Sequence, residues 1–143
     1  MPRNGSLTKV PLTVSGRLAS VTDSRTWSSY EEAATSTVGD GLGYVLGEGI
    51  GCVDLDGCFG EGDQLHPVAR RILDEHPHAL RVERSVSGKG LHIWDRMPEA
   101  MGSNRMVDGQ QVEIYSRARF IALGTTYRPG GLHPLRVPEL VAA

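Results

Sequence analysis

Apolar and polar residues alternate strictly in three short stretches of this chain. Val53 and Leu55 alternate with Asp54 and Asp56, Leu91 and Ile93 flank His92, and Val112 and Ile114 flank Glu113. A period of two sends successive side chains to opposite faces, so each stretch reads as a β-strand with one apolar and one polar face. Composition and turn signals extend the strands to 42–46, 50–56, 80–86, 90–95, 111–116 and 119–123. Residues 9–14 read as a short edge strand, because Pro11 is tolerated in a sheet only at an edge or a bulge. Gly47-Glu48-Gly49 is a hairpin signal between 42–46 and 50–56, and Ser87-Gly88-Lys89-Gly90 makes the turn between 80–86 and 90–95.

The period lengthens in two places. Ser28-Ser29 ahead of Glu31 and Glu32 has the spacing of a capping box and predicts a helix over 29–37, stopped by Gly39-Asp40-Gly41. Pro67 at a first helical position, followed by apolar residues at 68, 69, 72 and 73, predicts a second helix over 67–75. From Pro129 the chain is rich in Pro and Gly, so 129–143 reads as a tail or linker. Tight turns dominate the second half. The fold class is therefore α+β, a mostly antiparallel sheet with helices packed on one face, in a single domain over 1–143.

Composition narrows the class. The chain has 143 residues, 39% of them hydrophobic and 22% charged, with a formal net charge of −2. Those values describe a globular chain able to bury a core and exclude a disordered or collagenous one. No apolar run reaches the roughly 20 residues that span a bilayer, so no membrane association is expected. Nothing apolar near Met1 resembles a secretory signal, and Cys52 and Cys58 are too few for a disulfide scaffold, so a cytoplasmic setting is expected. Charge is uneven: residues 1–65 hold 4 basic and 9 acidic side chains, residues 66–143 hold 11 and 8. Lys9 and Lys89 are the only lysines among 15 basic residues. Arginine suits bidentate phosphate contacts, though GC-rich coding also favours it. A pI near 6.2 argues against coating nucleic acid through bulk charge, so any anion contact must be local.

The candidate chemistry begins at Asp54 and Asp56. Two carboxylates one pleat apart repel each other unless solvated or bridged by a cation, and hard oxygens at this spacing suit Mg²⁺ or Mn²⁺. The alternative is a solvated strand end. If the three alternating strands share one sheet in register, Val53, Leu55, Leu91, Ile93, Val112 and Ile114 cover the helix-packed face. The other face then collects Asp54, Asp56, His92 and Glu113, flanked by Trp94 and Tyr115. The Ser87–Gly90 turn offers backbone N–H groups and one ammonium to an anion, or is an ordinary hairpin turn. Arg117 and Arg119 are placed to clamp phosphate, or are solvated turn residues. His76-Pro77-His78 reads as a helix-end turn rather than a metal site, since Pro77 breaks strand alternation. Cys52 and Cys58 lack partners at zinc spacing.

In order and spacing, these residues resemble the primase–polymerase domains of phage and plasmid replication proteins, within the archaeo-eukaryotic primase superfamily. The likeness runs from Lys9 to about Thr126. It takes in Lys9-Val10-Pro11-Leu12, the stretch Ala19 to Trp27, Tyr30-Glu31-Glu32-Ala33 and Gly43-Tyr44-Val45-Leu46. It continues through Gly51-Cys52-Val53-Asp54-Leu55-Asp56, Ser87-Gly88-Lys89-Gly90-Leu91-His92-Ile93 and Val112-Glu113-Ile114-Tyr115, with Arg119-Phe120. The resemblance implies an RRM-like catalytic core and template-directed nucleotidyl transfer on single-stranded DNA, both DNA primase and DNA polymerase activity. It implies Asp54, Asp56 and Glu113 as ligands of two Mg²⁺ or Mn²⁺ ions, with His92 catalytic beside them. Ser87, Lys89 and His92 would cradle an incoming NTP or dNTP, with Arg119 a further phosphate or sugar contact. Partners would be template and primer, nucleoside triphosphates, and a helicase domain on a longer parent chain or in trans. The chain departs from the family at Gly90, which stands two before His92 where relatives often carry Ser; a hydroxyl there would come from Ser87. Two other functions fit the same residues: a metal-dependent single-stranded DNA nuclease, and a nucleotide- or DNA-binding module without turnover.

Overall fold

In a computed structural model, the structure describes residues 2–3, 6–7, 9–128 and 140–142, with side chains for 9–127. The chain runs β1 (Pro2–Arg3), β2 (Ser6–Leu7), α1 (Tyr30–Thr35), β3 (Leu42–Val45), β4 (Ile50–Leu55), α2 (Pro67–Asp74), β5 (Arg81–Arg84), β6 (Leu91–Arg96), β7 (Ser103–Val107), β8 (Gln110–Tyr115), β9 (Phe120–Ala122), β10 (Thr125–Arg128) and β11 (Leu140–Ala142). It is an α+β fold whose strand pairs are antiparallel. A six-stranded sheet has the order β10-β5-β6-β4-β8-β7, and a three-stranded sheet has the order β11-β3-β9. No helix among the described residues is long and apolar enough to cross a membrane.

Both helices begin where the sequence signals them. Ser29 caps α1: its Oγ accepts the Glu32 N–H at 3.2 Å and lies 3.0 Å from Glu32 Oε1, which is the capping box. Pro67 opens α2, and His66 Nδ1 accepts the Val68 N–H at 3.1 Å. Val68, Ala69 and Leu73 of α2 bury against Val53, Leu55, Val82, Leu91, Ile93 and Val112, with Ile114 at the margin. This is the apolar face that the alternation predicts.

The helices do not share that face. Ala33 of α1 packs with Tyr44, Leu46, Ile50, Cys52, Trp94 and Ile121. Cys52 and Trp94 point the opposite way from Val53 and Ile93, so α1 and the small sheet cover one end of the polar face. Both sides of the large sheet are therefore partly covered, which corrects the expectation of helices on one face only. The predicted hairpin of 42–46 with 50–56 also fails. Gly47, Glu48 and Gly49 all take positive φ, and the turn closes through the Gly47–Ile50 bridge, but β3 and β4 then enter different sheets. β3 pairs instead with β9 and β11. Residues 9–14 form no strand, only the Leu12–Leu18 bridge. Most of the expected tail, 129–139 and Ala143, lies outside the described residues; Leu140–Ala142 is strand β11 rather than linker.

Candidate functional site

Register decides whether the polar residues meet, and it brings them together. Asp54 on β4 pairs with His92 on β6 on one side and with Glu113 on β8 on the other. The row continues outward to Glu83 on β5 and to Asn104 on β7. One transverse line of side chains, Glu83–His92–Asp54–Glu113–Asn104, thus crosses five strands of the sheet. Asp56 lies one pleat along from Asp54 on the same side.

Asp54, Asp56 and Glu113 each place a carboxylate oxygen within 4.8 Å of the others. Burial changes across the group: Glu113 is buried, Asp54 half-buried and Asp56 exposed. Asp54 Oδ1 is buried and has no hydrogen-bond partner among the described residues; His92 Nε2 is 3.5 Å away. Burial pushes the Asp54 carboxyl up to about 6, with Asp56 and Glu113 adding to the rise while His92 and Arg119 oppose it. Glu113 accepts a 2.9 Å hydrogen bond from Gln111 Nε2, whose amide also reaches Asn104 Oδ1 at 3.1 Å. Three hard oxygen donors, one buried without a partner, fit a divalent cation: it would neutralise repelling charges and satisfy the unpaired oxygen.

His92 is fixed from the other side. Its Nδ1 lies 2.9 Å from Glu83 Oε1, and Glu83 Oε2 accepts from Arg81 Nε at 2.8 Å. Glu83 is fully buried, and the alternation analysis did not single it out, since Glu83 sits in a strand with no clear apolar alternation. Arg81 was missed in the same way.

A cleft of about 550 Å³ opens over Asp54 and His92, walled by Arg119, Phe120, Ile121 and Ala122 and flanked by Lys9 and Val21. Lys9 and Arg119, both exposed, bring positive charge to its lining. The Arg119 guanidinium lies 3.9 Å over the Tyr115 ring, which sets its direction. Ala118, at φ 50°, turns the chain between Arg117 and Arg119. Arg117 consequently lines a neighbouring cavity of about 560 Å³ with Trp27, Tyr44, Glu48 and Glu99, while Arg119 lines the cleft.

Ser87 and Lys89 sit in the turn joining β5 to β6 and do not line the cleft. Ser85, which is buried, is the hydroxyl held against Gly90: its Oγ accepts the Gly90 N–H at 2.9 Å and lies 3.1 Å from Ser87 Oγ. Trp94 is fully buried, edge-on to Tyr44 at 5.6 Å, so it is core and not a stacking surface for a base. Tyr115 is half-buried beneath Arg119. His76 follows α2 in a turn and holds Asp95 Oδ2 through Nδ1 at 2.7 Å, as a helix-end residue should. Cys52 and Cys58 are both free and buried.

Compared with known proteins, the chain matches no family model and no curated protein sequence.

Proposed function

We propose that this chain is a nucleotidyltransferase acting on single-stranded DNA, a DNA primase and DNA polymerase catalytic module with an RRM-like core, working in the cytoplasm in phage or plasmid replication. The observation that carries this reading is the alignment of Asp54 between His92 and Glu113, beside a cleft flanked by Lys9 and Arg119. A cleft lined by the Asp54 carboxylate and by the cations Lys9 and Arg119 suits a substrate with a metal-binding triphosphate and an attacking hydroxyl. The sequence resemblance supports the same assignment.

Asp54, Asp56 and Glu113 would hold two Mg²⁺ or Mn²⁺ ions, which supply activation of a primer 3′-hydroxyl and charge neutralisation at the leaving pyrophosphate. Lys9 and Arg119 would draw the triphosphate of an NTP or dNTP into the cleft, beside His92. Lys89 and Ser87 would act at the turn, through longer reach or after closure on substrate. The contribution of the protein is alignment and preorganised charge, as in other phosphoryl transfers. Template and primer would be held by sequence-tolerant contacts to the backbone, with a helicase domain on a longer parent chain or in trans.

The test is a priming and extension assay on single-stranded templates with Mg²⁺ or Mn²⁺ and each nucleotide class. Oligonucleotide products with pyrophosphate release, lost in Asp54→Ala with folding intact, support the reading. Cleavage of labelled DNA with Mn²⁺ and no nucleotide would instead assign a nuclease. Nucleotide binding without pyrophosphate release on any template would assign a binding module.

A further inference from the structure

Glu83, at one end of the transverse row, has no part in the chemistry proposed above. Glu83 is 0% exposed, and a buried carboxylate costs several kcal/mol unless it is paired and hydrogen-bonded. Arg81 supplies one of those partners. Its Nε donates to Glu83 Oε2 at 2.8 Å, and its other arm donates to the Gly124 carbonyl at 3.2 Å, which anchors the guanidinium to the chain just before β10. The second oxygen, Oε1, is left for His92 Nδ1 at 2.9 Å. Burial opposes the charge of Glu83, but the hydrogen bonds from His92 and Arg81 outweigh it and hold the carboxyl below its usual range.

An ionised carboxylate can only accept, so the hydrogen on the neutral imidazole must sit on Nδ1. That leaves Nε2 as the nitrogen aimed at Asp54 and the cleft floor, 3.5 Å from Oδ1. We propose that Glu83, anchored by Arg81, is a positioning residue for His92, fixing both the ring's direction and which of its nitrogens carries the hydrogen. Carboxylate–histidine pairs do this wherever a ring nitrogen must face a ligand in one defined state. The role of this pairing in nucleotide binding rests on the function proposed above; the state of the ring does not.

Glu83→Gln tests it sharply. Arg81 still donates to whichever atom faces it, so the amide oxygen turns to Arg81 and the NH₂ turns to His92. Nδ1 must then accept, and the hydrogen moves to Nε2. The measurement is ¹⁵N NMR of the imidazole nitrogens in the whole chain without metal or nucleotide, in the neutral ring, with His92→Gln used for assignment. The expected result is an Nδ1–H ring in the wild type, an Nε2–H ring in Glu83→Gln, and an Nδ1–H ring in Glu83→Asp, which keeps the charge. An Nε2–H or mixed ring in the wild type, or an unchanged ring in Glu83→Gln, overturns the proposal. The wild-type spectrum decides by itself if the variant does not fold. Binding of a non-hydrolysable nucleoside triphosphate with Mn²⁺ is read separately. Failure of the wild type to bind nucleotide would overturn the proposed function and leave the positioning of the ring standing.

Discussion

Asp54 and Glu113 are direct cross-strand partners at the middle of the large sheet, two carboxylates facing each other where like charges destabilise strand pairing. Asp56, one pleat on, adds a third negative charge. Asp54→Asn removes one charge with little change in volume, so it should stabilise the metal-free chain by on the order of 1–3 kcal/mol, while divalent-cation binding and nucleotidyl transfer are lost. Urea denaturation in chelator, set beside the activity assay, measures both.

The same carboxyl gives the stability a pH dependence of known sign. Asp54 titrates near 6 in the folded chain and at its ordinary 3.8 when unfolded. Between those values the folded state binds more protons, so metal-free stability falls as pH rises through the window. Glu83, held below 4.5, acts the other way: its contribution is present above that value and is lost as pH falls through its lowered pKa. Because Glu83 is common to both proteins, the stability difference between Asp54→Asn and wild type isolates the first effect. It should be near zero at about pH 4 and complete at about pH 7. Saturating Mg²⁺ should reverse the trend, since metal competes with protons for the same oxygens.

The cleft assigns unequal roles to the cations. Lys9 and Arg119 line it, and Lys89 does not. Lys9→Ala and Arg119→Ala should each weaken nucleoside triphosphate binding by about tenfold, the scale of one charge-assisted hydrogen bond. Lys89→Ala should weaken it less. Titration with a fluorescent nucleotide analogue ranks the three.

Core substitutions separate packing from function. Trp94 is fully buried, yet its Nε1–H has no hydrogen-bond partner among the described residues. Trp94→Phe therefore gives up no hydrogen bond and should cost less than the ~3–5 kcal/mol of Trp94→Ala, with DNA binding unchanged. Gly51→Ala should cost about 1–3 kcal/mol, because a Cβ there meets Met97 Sδ and comes within 2.8 Å of the Tyr115 carbonyl oxygen. Chemical denaturation of the three variants checks both expectations.

What was legible in the sequence follows from how local each signal is. Alternation at 53–55, 91–93 and 112–114 needs only a period of two, and it correctly assigned Asp54, His92 and Glu113 to one face. The capping box at Ser29 and the Pro67 start are equally local. Strand β7 was not anticipated, since Ser103–Val107 is an exposed edge with no apolar face to mark it. The available signal was Asp108-Gly109, both at positive φ, which forms the hairpin turn into β8. The divergence of β3 from β4 was not legible, because a Gly-Glu-Gly turn specifies reversal but not the sheet the next strand joins. Glu83 was hidden for a related reason: its meaning lies in pairing with His92 across β5 and β6, and no local pattern encodes a partner nine residues away.

Asp54, Asp56 and Glu113 are proposed to form one divalent-cation site serving nucleotide chemistry. Mn²⁺ binding to the whole chain, followed by electron paramagnetic resonance with and without a non-hydrolysable nucleoside triphosphate, tests it most directly. The account predicts bound Mn²⁺ that increases when nucleotide is added, and no bound Mn²⁺ in Asp54→Asn or Glu113→Gln chains that remain folded. Absence of Mn²⁺ binding in the wild type, or binding that persists unchanged in both variants, would contradict it.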